Sequence, residues 1–111
     1  MNEWNDITVA AKSVAVNIAS SGDNTVYTVT PGKRWVVLHI WLQAEVAVEV
    51  TIKSGASTSV SGQIEFATDA EKEWKNGGVP VFKANAVGDA LVINLGAAVQ
   101  VNGFIIIGEV I

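Results

Sequence analysis

The sequence contains no cysteine and a single histidine, His39. The absence of thiols excludes a disulfide scaffold, a zinc finger and thiol chemistry. One histidine provides neither an H-x-H nor an H-E-x-x-H metal site, and no G-x-S-x-G motif is present to suggest a serine nucleophile. We therefore predict a protein that is not an enzyme and that needs no metal or other cofactor.

Charge is also scarce, because only 16% of the residues are charged and the formal net charge is −4. The seven basic residues are scattered along the chain and form no stripe that could follow phosphates, so nucleic acid is not expected as a partner. The sequence also lacks a run of about 20 consecutive apolar residues, the length that a membrane-spanning helix requires. We expect no membrane association.

Half of the chain is nonetheless hydrophobic, and the apolar residues fall in short runs separated by turn residues. About eight runs have β character and a spacing typical of an all-β sandwich or barrel. They cover 13–19, 25–30, 34–43, 46–54, 59–67, 79–84, 90–96 and 99–111. We predict an N-terminal arm over 1–12 and one domain over 13–111, an antiparallel two-sheet sandwich of the jelly-roll or Greek-key type. A closed up-and-down barrel is the alternative.

The segment 68–78, TDAEKEWKNGG, is the one charged stretch that tolerates a helix. It is predicted as a long loop or a single helical turn. Asp69, Glu71 and Glu73 alternate within it and could converge on a calcium ion if the loop wrapped around one. Because Lys72 and Lys75 are interleaved with them, a solvated charged loop is the preferred interpretation.

The strand predicted over 34–43, RWVVLHIWLQ, has two apolar faces. Strict alternation places Val36, Leu38, Ile40 and Leu42 on the face toward the core. The opposite face then carries Trp35, Val37, His39 and Trp41 with Gln43, and it holds no charge. This second face is either an interface with another chain, or covered by the arm or a loop of the same chain, or a stacking platform for a ligand such as a sugar.

The last predicted strand repeats this pattern. In GFIIIGEVI, Phe104, Ile106 and Val110 occupy one face, and Ile105, Ile107 and Ile111 occupy the other beside the single charge of Glu109. A two-layer sandwich has only one interior, so two strands that are apolar on both faces exceed what one subunit can bury. The sequence therefore predicts oligomerisation or attachment to a larger assembly.

The second half of the chain resembles small jelly-roll capsid decoration (cement) proteins of tailed bacteriophages. The resemblance lies in turn and strand patterning, namely a Gly-Gly turn, a G-x-A-L strand start and a final V-x-G-hydrophobic strand. The matching positions are Gly77, Gly78, Gly88, Ala90, Leu91, Val101, Gly103 and 104–110. The PGK turn at 31–33 and KSGAST at 53–58 fit the same layout, so the resemblance covers about 25–111.

The resemblance implies a non-catalytic virion protein that binds the outer capsid surface and stabilises it across capsomer junctions. Its expected partners are copies of itself, as a dimer or trimer, and the phage major capsid protein. It would be made in the host cytoplasm. On this hypothesis Trp35, Val37, His39 and Trp41 contact a neighbouring subunit, and the arm around Trp4 contacts the capsid. The alternative is a carbohydrate-binding jelly roll, on a phage tail fibre or in a lectin-like domain.

Overall fold

A computed structural model describes residues 7–111, with side chains described from residue 11 onward. These residues form ten strands and no helix, so the described part contains no helix long and apolar enough to cross a membrane. The strands are β1 (Ile7–Ile18), β2 (Gly22–Tyr27), β3 (Arg34–Ala44), β4 (Val48–Ser54), β5 (Thr58–Ser59), β6 (Ile64–Phe66), β7 (Glu71–Lys75), β8 (Phe82–Lys83), β9 (Leu91–Leu95) and β10 (Val101–Val110).

The strands make two antiparallel sheets whose order is that of a jelly roll. Sheet A has the order β1-β10-β3-β7, with β8 also paired to β3, and sheet B has the order β2-β9-β4-β5, with β6 also paired to β4. The pairing is nested: the first strand pairs with the last, the second with the ninth, and the third and fourth with the short strands between them. The predicted all-β sandwich is confirmed.

The core lies between the sheets and consists almost entirely of aliphatic side chains. From sheet A it includes Val16, Trp35, Val37, Ile40, Leu42, Ala44, Val101, Ile105 and Ile107, and from sheet B it includes Val48, Val50, Ile52, Phe66, Leu91, Ile93 and Leu95. Strand β4 has the clean alternation of a half-buried strand, because Val48, Val50 and Ile52 point inward. Sheet B therefore follows its sequence pattern directly.

Strand β3 does not keep one alternation along its length. Its pairing with β10 runs from Ile106 opposite His39 to Ile107 opposite Val37, so Leu38 is an extra residue in a β-bulge. A shift of one residue exchanges the two faces of a strand. Ile40 and Leu42 point into the core on one side of the bulge, and Trp35 and Val37 point into it on the other.

This inversion corrects two of the predicted interface residues. Trp35 and Val37 are both 0% exposed within the single chain, so neither is available to another subunit. The predicted core position of Leu38 is also wrong, since that side chain is only half-buried and sits at the bulge. His39 and Trp41 do lie on the outward face of sheet A, as the alternation after the bulge requires.

Two predicted boundaries also change. The arm predicted over 1–12 is too long, because β1 begins at Ile7 and pairs with β10. Trp4, the predicted capsid-contact residue, lies outside the described residues.

The segment 68–78, predicted as a loop or helical turn, contains β7, which pairs with β3 from Lys75 opposite His39 to Glu71 opposite Gln43. In β7 the exposed residues Glu71, Glu73 and Lys75 alternate with the half-buried Lys72 and Trp74. The sequence did not indicate this strand, because its high charge conceals the alternation.

One carboxylate is buried at the end of the sandwich. Glu109 is 1% exposed and accepts hydrogen bonds from the Tyr27 hydroxyl at 2.5 Å and from the backbone N–H of Thr30 at 3.1 Å. Burial by itself raises the pKa of Glu109, but these hydrogen bonds outweigh it and hold the pKa below its ordinary value. Burial and the same hydrogen bond raise the pKa of Tyr27. The pair fastens β2 of sheet B to β10 of sheet A.

We expect Tyr27→Phe to lower the free energy of unfolding at neutral pH by about 1.5–3 kcal/mol, because it removes a hydrogen bond to a buried charge.

The lowered pKa of Glu109 means that this carboxylate stabilises the fold above the ordinary carboxyl pKa, and that the stabilisation is lost as pH falls through the lower folded-state value. The loss of stability on acidification should therefore be smaller in Glu109→Gln than in the wild type. Urea unfolding followed at several pH values measures both effects. Equal acid sensitivity of the two proteins would contradict this role for Glu109.

Candidate interaction surface on the outer face of sheet A

The outward side chains of sheet A form three rungs, each made of residues that lie opposite one another on β1, β10, β3 and β7. The amide rung consists of Asn17, Asn102, Gln43 and Glu71. The aromatic rung consists of Ala15, Phe104, Trp41 and Glu73. The mixed rung consists of Ser13, Ile106, His39 and Lys75. We call this surface the outer face of sheet A.

The aromatic rung is held together by ring contacts. Trp41 stacks beside Phe104 with 6.2 Å between ring centroids and 22° between planes. His39 meets the same phenyl ring edge-on, with centroids 5.2 Å apart. Such pairs fix each other's orientation, and all three side chains are only half-buried. The centre of this face is therefore a preformed aromatic cluster that is partly accessible to solvent.

Glu73 closes the cluster on the β7 side. Its carboxylate lies 2.6 Å from His39 Nε2, and its other oxygen lies 3.8 Å from the Lys75 ammonium. The hydrogen bond with His39 is the main cause that holds the pKa of Glu73 below its ordinary value. The carboxylate therefore fixes the imidazole over the sheet, and the pair gives the aromatic patch a polar rim.

Amide side chains border the aromatic rung on one side, in the neighbouring amide rung. Gln100 donates hydrogen bonds to the side-chain oxygen of Asn17 at 2.6 Å and to that of Asn102 at 2.8 Å. The outer face of sheet A thus has an aromatic centre with the amide rung beside it and the charged residues of β7 along one edge. This arrangement, an apolar centre inside a polar rim, is typical of an interaction surface.

The outer face of sheet B is different. Asp23 on β2 accepts hydrogen bonds from Lys53 at 3.1 Å and from Asn94 at 2.8 Å. Both hydrogen bonds lower the pKa of Asp23, and the bond from Asn94 has the larger effect. Thr51 lies opposite Asn94 on this face. The outer face of sheet B therefore carries a hydrogen-bonded polar group, and among residues 11–111 the stacked aromatic cluster lies on sheet A.

Of the predicted site residues, the structure brings His39 and Trp41 together on this surface. Gln43, which the sequence placed on the same face, also lies there, whereas Phe104, Glu73, Asn17 and Asn102 were not predicted as part of it. Phe104 could have been found from the sequence, because the apolar character of both faces of the last strand already marked it. Asn17, Asn102 and Glu73 could not, because only the strand register places them beside the rings.

The calcium site considered for Asp69, Glu71 and Glu73 is not assembled in the structure. Asp69 occupies the turn before β7 with φ of 60°, whereas Glu71 and Glu73 project from the strand. Across the described residues, no group of three or more His, Asp or Glu side chains is placed to hold a metal ion. The alternation of these carboxylates reflects strand geometry.

The chain was compared with known proteins at the level of sequence and of structure. No protein-family model matches it, and no curated protein matches it in sequence. Among solved structures, a chain from the study "Bacillus endospore appendages form a novel family of disulfide-linked pili" is similar, with a TM-score of 0.55 and 17% identity. The likeness covers 91% of this chain and 86% of the pilus chain. At 17% identity this likeness shows a shared β fold and nothing more.

Proposed function

We propose that this protein is a non-catalytic structural subunit that assembles through the outer face of sheet A. The observation that carries the proposal is the stacked pair of Trp41 and Phe104, half-buried at the centre of the outer face of sheet A, whereas the outer face of sheet B carries the hydrogen-bonded polar group of Asp23, Lys53 and Asn94. Trp is among the residues that contribute most binding energy at protein interfaces. A sheet face with an apolar centre can also pack against another sheet, at a separation of about 10 Å.

The test is the mass of the protein in solution and its dependence on this surface. We expect light scattering after size exclusion to give a dimer or larger oligomer, and Phe104→Glu to reduce it to a monomer, because a desolvated charge at the interface centre is costly. Thr51→Glu places the same charge on the outer face of sheet B and should leave the oligomer intact. Circular dichroism establishes that both variants are folded. A wild-type monomer at micromolar concentration would contradict self-assembly.

The more specific proposal is a decoration protein on the outer surface of a phage capsid. It is supported by the resemblance of 25–111 to that class and by the jelly-roll strand order. Many copies on one shell would add weak contacts into a strong total effect. Virions purified from a phage that encodes the chain should contain it in many copies, and heads that lack it should break at a lower temperature. Its absence from such virions would exclude this role.

The similar chain comes from a study of endospore appendages that form disulfide-linked pili. This chain has no cysteine. Any comparable fibre built from it would therefore depend on non-covalent contacts, for which the outer face of sheet A provides the apolar surface. Electron microscopy of the purified protein separates closed oligomers from fibres.

Carbohydrate binding is the second candidate, and the amide rung beside the aromatic rung favours it. Aromatic rings stack on sugar rings, and neighbouring amides can both donate to and accept from hydroxyl groups. The Trp35 ring does not contribute, because it is buried in the core. A glycan array probed with the wild type and with Trp41→Ala decides the matter, since a sugar platform requires binding that the substitution abolishes.

A further inference from the structure

The dipeptide Asn-Gly occurs twice in the chain, at 76–77 and 102–103. Asparagine is a chemically labile residue, and its side chain reacts most readily with its own backbone when glycine follows, because glycine has no side chain to hinder the approach of its nitrogen. The reaction also requires the asparagine backbone to rotate until that nitrogen reaches the side-chain carbon. The local structure therefore decides whether each site reacts, and it differs between the two.

Asn76 and Gly77 lie in an exposed turn that follows β7. The backbone has φ of 57° at Gly77 and 89° at Gly78, the positive pair of a type I′ turn. The turn is closed by the N–H of Val79, which donates to the carbonyl oxygen of Asn76 at 2.9 Å. Among residues 7–111, the Gly77 N–H donates to no other backbone group, and no heavy atom lies within 4 Å of the position that a Cβ would take there. This backbone can rotate without displacing packed neighbours.

Asn102 and Gly103 lie in the middle of sheet A, where β10 pairs with β1 on one side and with β3 on the other. Asn102 stands opposite Asn17 and Gln43 in these two pairings. Its side-chain oxygen accepts a hydrogen bond from Gln100 at 2.8 Å. Rotation of the Asn102 backbone out of its extended conformation would break the pairing with both neighbouring strands, so it requires the sheet to open.

We propose that Asn76 is a site of spontaneous covalent modification, at which the folded protein converts the side-chain amide into a carboxylate, whereas the fold protects Asn102. The Gly77 nitrogen loses its proton to a base in the solvent and attacks Cγ of Asn76, which forms a C–N bond and closes a succinimide ring. The bond from Cγ to Nδ2 breaks, and this nitrogen takes up a proton and leaves as ammonia. One water molecule then opens the ring at either carbonyl and gives aspartate or isoaspartate.

The product changes the charge at one edge of sheet A. Each conversion adds one negative charge, so the formal net charge changes from −4 to −5. The new carboxylate directly follows Lys75, which lies opposite His39 and whose ammonium is already 3.8 Å from the Glu73 carboxylate. Negative charge therefore accumulates beside the only lysine at that end of β7. The modification does not rest on the proposed assembly.

Incubation of the full-length protein at mildly alkaline pH, followed by peptide mapping with mass spectrometry, measures both sites in one sample. We expect Asn76 to be converted about tenfold faster than Asn102 or more, because a strand in the middle of a sheet opens rarely. In guanidinium chloride that unfolds the chain, the two rates should converge, since each site is then an unfolded Asn-Gly dipeptide.

Two variants locate the reaction. Asn76→Gln should remove the more acidic form that ion exchange separates after incubation, because glutamine must close a larger ring. Asn85→Gln replaces another exposed asparagine, one that precedes alanine, and should leave the acidic form unchanged. Similar rates at Asn76 and Asn102 in the folded protein would overturn the proposal. Conversion of Asn76 in the unfolded chain but not in the folded protein would overturn it as well, as would an acidic form that persists in Asn76→Gln.

Discussion

Gly103→Ala is expected to lower the free energy of unfolding by about 3 kcal/mol or more, a large share of the 5–15 kcal/mol that a typical domain has. A Cβ atom at Gly103 would lie 1.9 Å from the backbone oxygen of Trp41 and 3.0 Å from the Cα of Leu42. Both obstacles are backbone atoms of β3, so no side-chain rotation relieves the clash. Strand β10 must move away from β3, and the core residues on both strands must separate with it.

Gly62→Ala is the matched control for this experiment. No heavy atom lies within 4 Å of the position that a Cβ would take at Gly62, and its backbone does not need positive φ. Its unfolding free energy should equal that of the wild type in urea titrations. Failure of Gly103→Ala to fold would agree with the prediction. Wild-type stability of that variant would contradict the close approach of the two strands.

The same substitution should disturb the proposed interface. Gly103 directly precedes Phe104, and its added Cβ would clash with the backbone oxygen of Trp41, whose ring stacks on Phe104. If Gly103→Ala folds, the stacking of the two rings changes. We expect its self-association to weaken relative to Gly62→Ala at the same protein concentration.

Trp35→Ala should lower the free energy of unfolding by about 3–5 kcal/mol, whereas Trp41→Ala should lower it by about 1 kcal/mol. Trp35 is 0% exposed and belongs to the core, so its loss leaves a large cavity between the sheets. Trp41 is half-buried on the outer face of sheet A, where solvent can occupy the space that the ring leaves. The two residues have the same chemistry and lie on the same strand, but the bulge at Leu38 places them on opposite faces.

Urea unfolding at low protein concentration measures both variants, because dilution removes any contribution of Trp41 to an oligomer. At higher concentration Trp41→Ala should lose the oligomer that the wild type retains. Trp35→Phe is the milder companion of Trp35→Ala and should fall between it and the wild type. If Trp41→Ala were the more destabilised of the two monomers, the assigned faces of β3 would be wrong.

The sequence predicted the fold class because most strands show the expected alternation of apolar and polar residues along the chain. In β4, Val48, Val50 and Ile52 alternate with polar residues, and their burial agrees with the pattern. Strand β7 was missed because four of its five residues are charged, which suppresses the hydrophobic signal from Trp74. Charged outward side chains are compatible with a strand at the edge of a sheet, where water solvates them.

The candidate site was only partly predictable. His39 and Trp41 were assigned to an outward face, and they lie there. Trp35 and Val37 were assigned to the same face, but they lie in the core. Local alternation cannot indicate a bulge whose evidence is the register with β10, a strand more than sixty residues away in the sequence.

The sequence by itself determined an all-β sandwich without cysteine, built from short apolar runs separated by turn residues. Tertiary structure decided which apolar residues face outward and which side chains share a rung. The physical reason is that strand propensity and alternation are properties of neighbours along the chain. Register, the bulge at Leu38 and the close approach at Gly103 depend on contacts between strands that are distant in sequence.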